Sequence, residues 1–226
     1  MEKKIDKSLA RIFVISAIII ILGSMLSGPI GYFIVNLVNP IPWKDVQSFA
    51  ALYQPIQTLP YWFGFIYLTG FIVFISASRQ LLVGKNQLYG DGAIITTAIF
   101  GSLISINYIL QIGYVPRAVS APTELLAVFV MNNPKSICWL LEMFGWGFLG
   151  AATWFISPGF NSSRLQKIVK VLFIINGVGS IASAFLTPLV PSSLLLQIPG
   201  LVAYFVWNFL IWVAMFLIIL DFKNKM

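Results

Sequence analysis

The chain contains no histidine, a single cysteine and only seven acidic residues among 226. Without histidine, the serine and cysteine catalytic triads and the common zinc and haem ligand sets cannot be assembled. Cys138, being alone, cannot close a disulfide within the chain. No acidic pair stands inside an apolar run, so Cys138 has no candidate base except Glu142. An enzyme acting on a lipid or isoprenoid is therefore the least favoured class, no cofactor is expected, and no metal site is expected. Charge is scarce as well: 9% of the residues are charged, against roughly 25% in soluble domains.

Apolar residues fill that space. The chain is 59% hydrophobic and 15% aromatic, and its mean hydropathy is positive. Its solvent is a lipid bilayer. Long apolar runs cover approximately 12–38, 61–78, 93–115, 136–156, 168–189 and 199–220, and each is long enough to span one. The expectation is an all-α integral membrane protein, a six-transmembrane-helix bundle built as one polytopic domain over 1–226. The first run follows a basic segment, as in a signal peptide, but it is about twice the usual length of such an apolar core and lacks a cleavage signature. A retained first helix is expected, broken at Gly28 and Pro29. Ser24 and Gly28, like Ser27 and Gly31, stand four apart and would let another helix approach closely.

The net charge of +7 forms no contiguous stripe, which argues against nucleic acid as a partner. The basic residues collect instead at alternate ends of the runs. Lys3, Lys4, Lys7, Arg11, Arg79, Lys85, Arg164, Lys167, Lys170, Lys223 and Lys225 fall on one side, and only Lys44, Arg117 and Lys135 on the other. The positive-inside rule then places both termini in the cytoplasm, and a location in the plasma membrane is expected. The two long connections, 39–60 and 116–135, would lie outside. In the first, after Pro40 and Pro42, Trp43, Val46, Phe49, Ala50 and Tyr53 recur at helical spacing, which predicts a short interfacial helix. The second starts a helix at Pro122, Thr123 and Glu124 and stops at Asn132, Asn133 and Pro134; it is too short to span and predicts another interfacial or re-entrant helix. The fifth connection is short and is expected to hold no helix. The glycosylation-like triplet at Asn161 falls on the cytoplasmic side and carries no weight.

One acidic residue lies deep in a run: Glu142, with Trp139 and Trp146 on its helical face. A carboxyl group in hydrocarbon is costly and by default marks a functional site. No basic residue lies deep within a span to pair with it, so the acid would be protonated at rest and bonded to Asn107 or Gln111, unless Arg117 or Lys135 reaches down. Other polar stripes are Asn107, Gln111 and Tyr114; Asn176, Ser180, Ser183 and Thr187; and Tyr204, Asn208 and Trp212. At about 1.5 Å per residue, Asn107, Gln111, Glu142, Ser183 and Asn208 all fall roughly 6–13 Å inside the outer ends of their helices. The candidate ligand-binding set is thus Glu142, Trp139, Trp146, Asn107, Gln111, Asn208, Tyr204 and Ser183. Serine and threonine also serve as interhelical glue, and small residues such as Gly147 and Ala151 simply permit close packing.

The pattern points to a protein that binds or transports a small organic molecule, cationic or amphiphilic, in an outer polar and aromatic cavity. Tryptophan faces within about 6 Å would favour a cation, and six helices suggest a homo-oligomer or a partner membrane subunit. The alternative is a non-catalytic assembly partner or sensor. In layout, the six runs resemble the substrate-binding subunits of energy-coupling-factor vitamin transporters, which implies a ligand site toward the outside. The likeness is of architecture, and no residue carries over.

Overall fold

The computed structural model describes residues 6–38, 43–189, 198–223 and 225–226. Pro40, Pro42, Lys3, Lys4 and most of the fifth connection lie outside them. The helices are α1 (Lys7–Ser27), α2 (Pro29–Val38), α3 (Val46–Leu52), α4 (Leu59–Arg79), α5 (Gln87–Ile109), α6 (Val115–Ala118), α7 (Glu124–Phe129), α8 (Ile137–Ile156), α9 (Arg164–Leu186) and α10 (Ile198–Lys223), with a π-turn (Leu110–Tyr114) joining α5 to α6. Among the described residues there is no strand. Six stretches are long and apolar enough to cross a membrane: Lys7–Leu37, Pro55–Arg79, Gln87–Ala118, Ile137–Gly159, Arg164–Leu186 and Tyr204–Lys223. The protein is an all-α bundle of six membrane-spanning helices with short helices, α3 and α7, in the first and third connections.

The spans close into a ring in chain order: α1 packs on α4, α4 on α5, α5 on α8, α8 on α9, α9 on α10 and α10 back on α1. Glycines set the closest approaches. A Cβ on Gly23 would meet the Tyr67 backbone at 2.8 Å, and one on Gly177 would meet the Gly150 carbonyl oxygen at 2.7 Å. In hydrocarbon, where lipid is as apolar as leucine, such contacts hold helices together by packing. The first span breaks where expected. α1 stops at Ser27 and α2 restarts at Pro29, whose missing N–H costs nothing at a helix start. The helix that approaches this break is α10: a Cβ on Gly28 would clash with the Tyr204 hydroxyl, and the Trp212 indole donates to Ser24 Oγ.

The two ends of the ring differ. At the end carrying the termini, Phe13, Phe74, Phe160, Phe173 and Phe222 are fully buried and pack ring against ring, with centroids 5.6 Å apart for Phe13–Phe74, 6.0 Å for Phe74–Phe173 and 4.3 Å for Phe13–Phe222. They come from α1, α4, the turn after α8, α9 and α10, and together they fill the centre of the ring. Below them Asp221 accepts from Ser163 Oγ (2.6 Å), Gln166 Nε2 (2.7 Å) and Lys225 Nζ (2.5 Å). These bonds tie the end of α10 to the start of α9.

At the opposite end α3 and α7 cover the ring. The Asp45 carboxylate accepts from the Ser48 backbone N–H at 2.7 Å and caps α3; that bond holds Asp45 below the ordinary aspartate range. Val46 and Phe49 of α3 pack with Leu126, Val130 and Val115 in a second buried cluster. The apolar faces that the sequence assigns to the membrane interface therefore meet each other, and the pair forms a cap.

Candidate functional site

Beneath that cap lies Glu142. Ser136 caps α8 by accepting from the Trp139 N–H at 3.0 Å, which places Glu142 between the first and second turns. Its carboxyl group accepts from Asn107 Nδ2 (2.8 Å), Trp146 Nε1 (2.8 Å) and the Tyr108 hydroxyl (3.3 Å). Glycines permit two of these bonds. A Cβ on Gly145 would meet Ile104 Cδ1 at 2.7 Å, so its absence lets α5 bring Asn107 close, and the empty side of Gly64 accommodates the Tyr108 ring. Trp146 reaches Glu142 from one turn along the same helix.

Gln111 links this acid to the cap. It sits in the π-turn, and its Nε2 donates to Asn107 Oδ1 (3.3 Å) and to the Phe129 carbonyl oxygen (2.7 Å). Its Oε1 accepts from the Met131 N–H at 3.1 Å. A π-turn re-aims side chains within a continuous helix and is frequent at functional sites. The result is a relay from Met131 through Gln111 and Asn107 to Glu142, in which each donor and acceptor is fixed by its neighbour. Replacing Gln111 with leucine would leave the Phe129 carbonyl and the Met131 N–H without partners, at about 1–3 kcal/mol. Hydrogen exchange at the Met131 amide should then speed up markedly, while the α10 amides keep wild-type rates.

Aromatic rings enclose the acid from the ring's interior. Trp146 lies 5.4 Å from Tyr67, 5.1 Å from Phe100 and 5.0 Å from Trp207, centroid to centroid. Tyr108 lies 5.4 Å from Tyr61 and 5.7 Å from Phe65. Trp207 Nε1 donates to Ser180 Oγ at 2.6 Å. The bonds to Glu142 come from three uncharged groups. Among the described residues no lysine or arginine forms an ion pair with it, and Arg117 and Lys135 are exposed. Glu142 as a residue is only partly buried, while its carboxyl group is enclosed by these rings and donors.

The structure brings together Glu142, Asn107 and Trp146, with Gln111 one bond further out. Trp139 stands three residues before Glu142 on α8, and its buried indole N–H has no partner among the described residues. Tyr204 is 40% exposed and turns its hydroxyl to Gly28. Asn208 is buried and donates to the Tyr204 carbonyl oxygen at 2.9 Å, within its own helix. Ser183 is exposed and takes no part. The buried arc of α9 is centred on Phe173, Gly177, Ser180 and Ala184, and Ser183 falls at its edge, near the end of the helix. The sequence reading missed Tyr108, Tyr67, Tyr61 and Trp207. Their signal was a phenol or indole inside an apolar helix, where each polar tip needs a partner.

Other interior polar groups lack one. Asn176, 2% exposed, leaves both amide atoms unpaired among the described residues, and the Tyr67 hydroxyl is likewise unpaired there. A buried unpaired polar group costs stability that an apolar side chain of similar shape does not. Asn176→Leu is therefore expected to raise the thermal midpoint; a lower midpoint would mean that the amide is engaged.

No group of three His, Cys, Asp or Glu side chains placed to hold a metal occurs among the described residues. A surface groove of about 500 Å³ lies elsewhere, between α4 and α5, and is lined by Ile72, Ser76, Thr97, Gly101 and neighbours. Near the acid there is a void of about 10 Å³ bounded by Phe49, Tyr53, Gln57, Tyr61, Gln111, Val115 and Asn132. The Glu142 site is thus closed in this conformation. Comparison with protein-family models, with curated proteins and with solved structures gives no match. The resemblance to vitamin-transporter binding subunits accordingly rests on helix number alone.

Proposed function

We propose that the protein binds a small organic cation at Glu142, in the half of the membrane beneath α3 and α7. The observation that carries this reading is a carboxyl group that accepts from three uncharged donors, has no cationic partner among the described residues, and is enclosed by Trp146, Tyr108 and their ring neighbours. Within the membrane such an acid is balanced by a proton or by a cation, and a cation also gains from the faces of tryptophan and tyrosine. A lone carboxyl group without a metal-ligand set or a second acid–base group suits recognition better than catalysis. The small-residue groove between α4 and α5 favours a second reading, in which the chain assembles with another copy or another membrane subunit. The distribution of basic residues supports cytoplasmic termini and an outward-facing cap.

Because a proton and a cation compete for one carboxyl group, affinity rises with pH until the group is fully ionised. A titration of tryptophan fluorescence in vesicles tests this, with benzyldimethylammonium and benzyltrimethylammonium as probes and neopentylbenzene as the uncharged isostere of the latter. The cations should produce saturable changes that strengthen as pH rises, and the isostere should not. Equal responses to charged and uncharged probes would refute the cation site.

A further inference from the structure

The opposite ends of the ring differ in what they place between solvent and Glu142. From the terminal end, the way is filled by the five-phenylalanine layer, each ring fully buried and in edge or face contact with its neighbours. From the α3/α7 end, the relay from Gln111 to Asn107 reaches Glu142 in two hydrogen bonds, and the void beside Gln111 is the first thing outside it. That void carries polar atoms the fold does not use. The Tyr53 hydroxyl and Gln57 Oε1 are buried without partners among the described residues, and both residues line it together with Tyr61 and Asn132. A void of about 10 Å³ has room for about one water molecule and no more. The seam is polar but shut.

Leaving two polar atoms unpaired at a packed seam is costly if the seam serves packing alone. The cost has a return if the seam parts and those atoms meet water or a passing solute. Burial pushes the Tyr53 hydroxyl up to about 12, so at neutral pH it remains an uncharged donor and acceptor. The cap that must move is held to the bundle by the Val46, Phe49, Leu126 and Val115 cluster and by the bonds of Gln111. None of these is an ion pair.

We propose that Glu142 communicates with solvent from the α3/α7 end only, through the seam between α3 and the bundle, with Gln57 and Tyr53 as the first polar contacts of an incoming cation and Gln111 as the latch. The cation in this statement rests on the function proposed above; the one-sided path does not. The phenylalanine layer makes the ring a cup. Delivery to the other side would require that layer to come apart.

The test labels carboxyl groups and needs no ligand. In sealed vesicles of uniform orientation, a permanently charged, membrane-impermeant carbodiimide adds to the protonated acid as an O-acylisourea, and taurine displaces the urea to leave an amide that mass spectrometry locates. Exposed acids mark the sides: Asp45 and Glu124 at the α3/α7 end, Asp6 at the other. Glu142 should be labelled where Asp45 and Glu124 are labelled, and spared in inverted vesicles where Asp6 reacts. A bulky maleimide on Gln57→Cys should abolish Glu142 labelling and leave Glu124 labelling unchanged. Should Gln57→Cys fail to fold, Asn132→Cys, at an exposed position on the same void, serves instead. The native Cys138 is buried and does not compete. Labelling of Glu142 from the Asp6 side, labelling that survives the maleimide, or no labelling while Glu124 reacts completely would each overturn the proposal. Since no cation enters the experiment, one-sided labelling can hold even if cation binding fails, and the two failures are told apart.

Discussion

At a pH where the wild-type acid is ionised, Glu142→Gln should destabilise the bundle by about 1–3 kcal/mol, although it changes a single atom of the side chain's outline. In the wild type Oε1 accepts from Trp146 and Tyr108, and Oε2 from Asn107. The substituted amide can keep an oxygen toward Trp146 and Tyr108 only by turning its NH2 toward Asn107 Nδ2, donor against donor at 2.8 Å. Flipping Asn107 relieves that clash but turns its own NH2 toward Gln111 Nε2, which currently donates to Asn107 Oδ1. Flipping Gln111 in turn forfeits its bonds to the Phe129 carbonyl and the Met131 N–H. One donor–donor contact must remain somewhere along the relay. The variant should therefore fold, held by the phenylalanine layer and the α10 staple at the other end. It should melt earlier and exchange the Met131 amide faster. A wild-type midpoint with wild-type exchange would show that Asn107 does not donate to Glu142.

Gly150→Val is the second large effect, and it acts through packing rather than polarity. A Cβ at Gly150 would lie 2.5 Å from Ser180 Cβ and 2.9 Å from the Gly177 carbonyl oxygen. Neither neighbour is the loose end of a side chain, so α8 and α9 must separate. Overpacking of this kind costs about 1–3 kcal/mol, occasionally more. Here it would also move Ser180 off Trp207 Nε1 and disturb the Trp146–Trp207 contact that encloses the site. Gly179, on the facing helix α9, provides the control. Nothing lies within 4 Å of a Cβ there, so Gly179→Ala should be neutral or stabilising by up to about 1 kcal/mol through helix propensity. A denaturation series on the two variants should give opposite signs. Equal, small effects would mean that the α8–α9 crossing is looser than the structure shows.

Much of this architecture is legible in the residues. Run length gives the six spans, the Gly28–Pro29 pair marks the break in the first, and Thr123–Glu124 marks the start of α7. Glu142 stands out because no other acid lies so deep within an apolar run, and Asn107 could be paired with it by depth alone. What depth cannot convey is azimuth. Ser183 has the right height, yet it sits at the edge of the buried arc of α9. Trp207, one position before Asn208, faces inward and meets Trp146. Nor does sequence spacing anticipate the π-turn, which aims Gln111 at α7. The cap was hidden for a related reason. A short amphipathic helix reads the same whether its apolar face meets lipid or another helix, and only the packing of Val46 and Phe49 on Leu126 decides between them.

The central claim is that Glu142 is a cation site, and the most direct measurement is thermal stability of the purified protein with and without benzyldimethylammonium, in wild type and in Glu142→Gln. A ligand at about 100 times its dissociation constant adds roughly 2.7 kcal/mol to the folded state. A cation site at Glu142 predicts a clear rise in the wild-type midpoint, a rise that grows with pH, and none in Glu142→Gln measured against its own lower baseline. An equal rise in both proteins, or none in the wild type across the pH range and across organic cations of differing size, would contradict it.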